Sequence, residues 1–315
     1  MDEVGQPLVS RRQALGLGVA AGAGLMIPTY AVPAQTESGK LRTRPIPHSS
    51  ETLPVVGVGT AIVFNVGSRP QEHAGCTEVV RALLTHGGSI IDTAPSYGSA
   101  EAVVGAVLAE TGLRSQAFIA TKLERYQPGN EEAELRESLQ RLGIAKVDLL
   151  QFHNVRDPRQ DLGALRALQA KGLCRYTGIT TTFGRAYDAA EAILKREKPD
   201  FIEVDYAIDS RDAEARVIPA AAEAGAGVLV ALPFGRGRLF RAALGKPLPE
   251  WAAEFDCNSW AQFFLKFILG NPAITACIPG TDKAVHMMDD LGAGLGRLPD
   301  APMRSRMVQY VESLG

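Results

Sequence analysis

Asp92, Tyr97, Lys122 and His153 are the side chains of this sequence whose types and spacing could do chemistry together. Adding hydride to a carbonyl carbon requires a proton for the developing alkoxide. A phenol, with a reference pKa of about 10, is a poor acid-base group unaided. A neighbouring ammonium favours phenolate and lowers that value, and a carboxylate beside the ammonium keeps it charged and in place. A histidine near the same oxygen would hydrogen-bond the reacting group and orient it. The four residues supply these four roles, a set suited to general acid catalysis with electrostatic stabilisation. Singly, each has a plainer reading as a packed aromatic, a structural ion pair or a satisfied strand-end histidine.

The elements that would gather them are legible in the hydrophobic pattern. From Val55 onward, short β-branched runs alternate with longer amphipathic ones, and strands are expected at 55–60, 89–93, 117–122, 147–153, 174–180, 201–207, 227–232 and 274–279. Asp92, Lys122 and His153 fall at the ends of the second, third and fourth, separated by 30 and 31 residues, and Tyr97 lies five residues beyond Asp92. Between the strands lie helical stretches such as EEAELRESLQRLG, with Leu135, Leu139 and Leu142 on one face at i, i+4 and i+7. Gly143, Gly172, Gly225 and Gly270 mark helix ends. Eight strand–helix units within residues 55–291 predict an α/β fold of the (β/α)8 TIM-barrel class, in which functional residues collect where strands end and loops begin. An open doubly wound sheet is the alternative, but no G-x-G-x-x-G follows the first strand.

Composition narrows the function classes. The net charge is −2, and no basic block stands out after the first dozen residues, so nucleic acid is not an expected partner. Cys76, Cys174, Cys257 and Cys277 lie far apart without C-x-x-C spacing, which speaks against zinc and dithiol chemistry, and no metal site is expected. Residues 10–27 read SRRQALGLGVAAGAGLMI, and the apolar run from Ala14 to Ile27 is 14 residues long, short of the roughly 20 that span a bilayer. The charged start, apolar middle and small-residue end are those of a signal peptide. Arg11 and Arg12 resemble the twin-arginine export signal. The expected partition is a signal peptide at 1–34, a linker at 35–50 and a barrel at 51–315, with the twin-arginine machinery as partner, a periplasmic or otherwise exported location and no stable membrane anchor.

The blocks IDTAPSYGSAE, IATK and LLQFHN resemble the signature blocks of the aldo-keto reductase family. VVGVGT, KGLCRYTGIT, LPFGRG and SWAQFFLKFILGNPAITACIPGT extend the likeness over residues 50–292. The resemblance implies a catalytic tetrad of Asp92, Tyr97, Lys122 and His153, a small-molecule carbonyl substrate, and a nicotinamide cofactor lying extended across the barrel mouth. It implies Thr180 and Thr181 where the family commonly has Ser-Asn for the carboxamide, and Glu203 where it commonly has Gln. Tyr206 would stack on the nicotinamide. Pro233, Gly235, Arg236 and Gly237 would wrap the pyrophosphate. Gly280, Thr281, Lys283, His286 and Asp290 would hold the adenosine phosphate end, Asp290 standing where Asn is common. Lys283 favours NADP, Asp282 beside it opposes that charge, and NAD is the alternative. Phe64, Phe240 and Trp251 are candidates to shape the substrate pocket. Besides carbonyl reduction, two readings stay open: alcohol or sugar oxidation by the same groups in reverse, and a regulatory barrel that binds nucleotide without turnover.

Overall fold

The computed structural model describes residues 39–124 and 129–314, so the expected signal peptide at 1–34 lies outside the described residues. An antiparallel hairpin comes first, β1 (Thr43–Pro45) paired with β2 (Thr52–Pro54). Eight strands follow: β3 (Val58–Gly59), β4 (Ile90–Asp92), β5 (Phe118–Leu123), β6 (Val147–Phe152), β7 (Cys174–Thr181), β8 (Phe201–Asp205), β9 (Gly227–Ala231) and β10 (Ala276–Cys277). Each pairs in parallel with the next in chain order. Val56 bridges Cys277 in parallel, and the Gly57 and Gly59 amides donate to the carbonyls of Cys277 and Pro279 at 2.8 and 3.0 Å, which brings the first strand against the last. The result is the expected (β/α)8 barrel.

The helices are α1 (Pro70–Thr85), α2 (Ala100–Thr111), α3 (Glu131–Leu142), α4 (Gly163–Ala170), α5 (Tyr187–Glu197), α6 (Asp212–Ala215), α7 (Val217–Ala224), α8 (Arg238–Ala242), α9 (Trp260–Leu269), α10 (Ala284–Gly292) and α11 (Ala301–Glu312). The stretch AEARVIPAAAEAG forms two helices, α6 and α7. Pro219 offers no N–H and its ring crowds the carbonyl four residues earlier. The backbone breaks at Arg216, with φ −131° and ψ −77°, leaving the proline in the first turn of α7.

Period-2 alternation sorts the strand residues into two clusters. Ile90, Phe118, Leu149, Phe201 and Leu229 fill the barrel interior, whereas Ile91, Ile119, Leu150, Ile202 and Val230 pack outward among the helices. The hairpin corrects the linker expected at 35–50. Ile46 and Leu53 join the interior cluster and Leu41 is buried in the outer one, so from residue 41 onward this segment is integral to the barrel. Pro45 ends β1, and Pro47, Ser49 and Ser50 sit in the turn, between the buried Ile46 and Leu53.

Arg44 of the hairpin ties this end of the barrel to α9. Its guanidinium donates to the carbonyls of Leu269 and Ile274, and to that of Asn271 at 3.0 Å. Helix C-termini leave carbonyls without intrahelical donors, and here a charged side chain supplies them; its burial lowers its pKa to about 10. Gly270 follows α9 with φ −64°, so it is not needed for handedness. A Cβ there would stand 2.7 Å from the Pro299 carbonyl oxygen, which makes glycine a requirement of close approach. Arg44→Met should remove the charged donor from the three carbonyls, of which that of Asn271 keeps the Ile274 amide, and cost about 3 kcal/mol, the order expected when charged hydrogen bonds are removed from partly buried acceptors. Urea unfolding of the two proteins measures this, and a difference under about 0.5 kcal/mol would show that the hairpin does not brace α9.

Candidate active site

Asp92 closes β4 and Lys122 lies near the end of β5, both facing the barrel interior at the end where the parallel strands finish. Lys122 has no exposed surface and Asp92 only 2 %. The ammonium donates to Asp92 Oδ2 at 2.6 Å, to Asp92 Oδ1 at 2.8 Å and to the Thr93 carbonyl at 3.1 Å. A second carboxylate is present: Glu203 Oε2 of β8 lies 3.3 Å from Lys122 Nζ and accepts from Gln151 Nε2 of β6 at 3.1 Å. Burial alone would lower the Lys122 pKa, but Asp92 and Glu203 outweigh it and raise it. Asp92 is held well above the usual carboxylate range by burial and by the charge of Glu203, with Lys122 opposing.

Tyr97 comes in over this cluster from the loop after β4, its ring centroid 5.1 Å from Lys122 Nζ. The loop is held by the segment after β3. Asn65 Oδ1 accepts from the Ser99 amide at 3.0 Å and from its hydroxyl at 3.2 Å, and the Gly67 amide donates to Ser99 Oγ at 2.7 Å. Gly98, with φ +64°, makes that contact possible, since a Cβ would stand 2.3 Å from Asn65 Oδ1. Lys122 lowers the Tyr97 pKa as expected, but it does not prevail. Burial raises it above the ordinary tyrosine value, and Asp92 and Glu203 counter the pull of Lys122. The phenol is therefore a proton-bearing donor at neutral pH.

His153 follows β6 and meets Tyr97 edge to face, ring centroids 6.0 Å apart. Its Nδ1 is 2.6 Å from Glu124 Oε2. Burial disfavours the Glu124 carboxylate, but hydrogen bonds from His153 and Ser96 prevail and lower its pKa. An ionised carboxylate only accepts, so Nδ1 carries the proton and Nε2 is the ring atom left to face a ligand. The sequence reading missed Glu124 and Gln151. Both were reachable by period 2, since Glu124 is two residues beyond Lys122 and Gln151 two before His153, each on the inward face of its strand.

The expected cofactor residues divide. Thr180 and Thr181 are fully buried; the Thr180 hydroxyl accepts from the Asn154 amide at 2.7 Å, and the Thr181 hydroxyl reaches the Phe183 carbonyl at 3.5 Å. Glu203 is engaged by Lys122 and Gln151. Tyr206 is not at the mouth. It continues the outward series of Ile202 and Val204, packs against Phe267 of α9, donates to Glu214 Oε2 at 2.6 Å and accepts from Arg304 at 2.6 Å. Glu203 faces inward, so a residue three positions on faces out, and the stacking role expected for Tyr206 is excluded by the alternation. Leu232, with φ +54°, packs against the interior cluster just beyond β9.

Pro233 is buried, and Gly235, Arg236 and Gly237 run consecutively at φ +55°, +55° and +80°, with the Arg236 side chain exposed. Beside them lies a cavity of about 350 Å³ lined by Phe234, Trp260, Gly280, Thr281, His286 and Asp290, with Phe240 at its edge. The Thr281 hydroxyl accepts from the Lys283 amide at 3.2 Å, and Lys283 is the exposed residue that begins α10. Asp290 is 2 % exposed, and burial, with Asp289 adding to it, holds its carboxyl well above the usual range. Of the three aromatic candidates for the substrate pocket, Phe240 lines a cavity. Phe64 is wholly buried in the outer core, and Trp251 packs among Phe255, Phe263 and Tyr310. Among the described residues, no cluster of His, Cys, Asp or Glu could hold a metal ion, and no helix is long and apolar enough to cross a membrane.

Comparison with known proteins gives this arrangement a context. The sequence model of the Aldo/keto reductase family matches residues 55–305. Aldo-keto reductase str7 of Strobilurus tenacellus is 28 % identical over 264 residues, 71 % of this chain and 77 % of that protein. An aldo-keto reductase of Mycolicibacterium vanbaalenii is 33 % identical over 148 residues, 45 % of this chain and 50 % of that protein. In fold, the chain is similar to a Klebsiella pneumoniae aldo/keto reductase whose crystal structure holds NADP and acetate. The TM-score is 0.71 at 21 % identity, covering 87 % of this chain and 96 % of that one.

Proposed function

This chain belongs to the aldo/keto reductase family, and from that premise we propose that it reduces an aldehyde or ketone to the alcohol, with NADPH as hydride donor and Tyr97 as proton donor. The observation that carries the reading is the convergence of Tyr97, Lys122, Asp92 and His153 at the ends of three adjacent strands, with the phenol 5.1 Å above a buried ammonium. Tyr97 holds the proton for the carbonyl oxygen. His153 Nε2 is placed to position that oxygen. Lys122 stands close to where charge develops when the proton leaves, fixed in advance by Asp92 and so without reorganisation during reaction.

The donor set fits an extended nicotinamide cofactor at its adenosine end. The cavity beside Gly280, Thr281, His286 and Asp290 offers aromatic walls, and the start of α10 offers free backbone N–H groups that favour an anion. Arg236 and the left-handed turn of Gly235 to Gly237 would face the pyrophosphate, and Lys283 a 2′-phosphate. When bound, the cofactor supplies the hydride. The Klebsiella protein's NADP supports the choice of NADP over NAD.

Tyr97→Phe keeps the ring and loses only the hydroxyl. It should lower kcat against a panel of aldehydes by about 10²–10⁴-fold, the usual contribution of general acid catalysis, while cofactor affinity by fluorescence titration stays near wild type. Turnover that survives the substitution would remove Tyr97 from the role. A wild type that binds nucleotide but reduces nothing would favour the regulatory barrel instead.

Lys283→Ala should weaken NADPH by about ten- to a hundredfold, the value of a charged hydrogen bond, and leave NADH nearly unchanged. Equal losses for both cofactors would show that Lys283 does not read the 2′-phosphate.

The sequence SRRQALGLGVAAGAGLMI supports export by the twin-arginine route with removal of residues 1–34. Replacing Arg11 and Arg12 by lysine should retain the protein in the cytoplasm on cell fractionation, and undiminished export would refute the assignment.

A further inference from the structure

Two carboxylates, not one, surround the ammonium beneath the candidate acid. We propose that Glu203 is a positioning residue of the reaction: as a second counter-charge on Lys122 it keeps the Tyr97 hydroxyl protonated over a wide pH range and so biases the site toward reduction. The inference rests on the reading of Tyr97 as the proton donor and adds what sets the state of that donor.

The geometry carries it. Glu203 is 3 % exposed, its Oε2 lies 3.3 Å from Lys122 Nζ, and Gln151 Nε2 holds the same oxygen at 3.1 Å. The Glu203 carboxylate is therefore aimed at the ammonium by an inward-facing residue of β6, two strands away from its own. The groups around Tyr97 are Asp92 of β4, Lys122 of β5, Glu203 of β8, and His153 after β6 with Glu124 behind it. A lone ammonium there would favour phenolate, and one carboxylate would balance it. In the alkaline range where a phenol titrates, two ionised carboxylates leave surplus negative charge beside the phenol, which favours the neutral O–H. The upward displacement of Tyr97, to which Asp92 and Glu203 both contribute, agrees with this.

Direction follows from the proton. In reduction the Tyr97 O–H bond would break and its proton join the carbonyl oxygen, a bound reduced nicotinamide being the source of the hydride and water returning the proton to the phenol. In oxidation a Tyr97 phenolate would take the alcohol proton, a bound oxidised nicotinamide being the hydride acceptor. A site that holds the phenol neutral is in the right state for the first step at any ordinary pH, and in the right state for the second only in alkali. The overall equilibrium is unchanged; the pH range in which each direction runs is not.

Glu203→Gln is the test, because the amide keeps an acceptor for Lys122 and a partner for Gln151 while losing the charge. Phenolate absorbance is titrated in the full-length protein, with the same titration of Tyr97→Phe in each background subtracted to isolate this tyrosine. E203Q should move its transition down by about one pH unit or more, a tenfold rise in phenolate at a given pH. Alcohol oxidation at pH 8 should rise by a similar factor relative to reduction. Asp92→Asn removes the other charge and should move the transition the same way. A transition that shifts in D92N but not in E203Q, or in neither, overturns the proposal. If E203Q does not fold, Glu203→Asp draws the charge back from Lys122 by one methylene: a Tyr97 transition that moves down supports the proposal, and one that stays overturns it. The absorbance readout needs no turnover, so it judges Glu203 even if no carbonyl in the panel is reduced.

Discussion

The buried Lys122 ammonium is the constraint around which the mouth of this barrel is arranged. Moving an ammonium out of water is costly, and only close, well-directed acceptors offset it. Asp92, the Thr93 carbonyl and Glu203 supply them, and they come from two different strands, β4 and β8, that do not neighbour each other. The contacts across the interior therefore depend on barrel closure. A flat sheet with the same strand order would set β8 three strands away from β5. Closure lets Glu203 reach Lys122 across the lumen, and the charge cluster in turn penalises any slip in register that would leave one of its members unpaired.

The barrel divides its labour along its axis. At the end where β1 and β2 sit, the interior is apolar: Ile46, Leu53, Ile90, Phe118, Phe201 and Leu229 pack together, and Arg44 holds the end of α9 by its carbonyls. At the other end, the inward positions change to Asp92, Lys122, Gln151 and Glu203. Barrels of this class carry conserved stability at one face and chemistry at the other. The apolar end provides a rigid frame, which matters because the polar end contains mutually repelling groups that would separate if the strands could move apart.

Reading the sequence recovered the strand ends better than the side-chain directions. Asp92, Lys122 and His153 were legible because one residue per strand–helix unit recurs at nearly constant spacing, and eight such units leave few alternatives to a barrel. Tyr206 matches a motif position, but its place in the alternation from Glu203 decides its direction. Odd residues of β8 face in and even ones face out, so Tyr206 is directed to Arg304 and Phe267. Glu124 and Gln151 obeyed the same count and were passed over. The hairpin was hidden by Pro45, Pro47, Ser49 and Ser50, whose turn chemistry outweighed Leu41, Ile46 and Leu53 in a purely compositional reading. The pairing of Glu203 with Lys122 could not be read at all, since it depends on a contact across the lumen between residues 81 positions apart, a separation no local pattern encodes.

Two positions where the resemblance leads one to expect an amide hold a carboxyl instead, and the structure treats them in opposite ways. Asp290 is buried beside Asp289, its carboxyl is in no ion pair among the described residues, and burial drives its pKa well above the usual range. A carboxylic acid that keeps its proton presents one donor and one acceptor, much as an amide does, so burial pushes Asp290 toward an amide-like form. Glu203 Oε2 lies 3.3 Å from the Lys122 ammonium. A carboxylate there only accepts, unlike a glutamine, and its charge weighs on Lys122, Asp92 and Tyr97. The same change from amide to acid thus meets a second acid at one site and a buried ammonium at the other, where it alters the electrostatics around Tyr97.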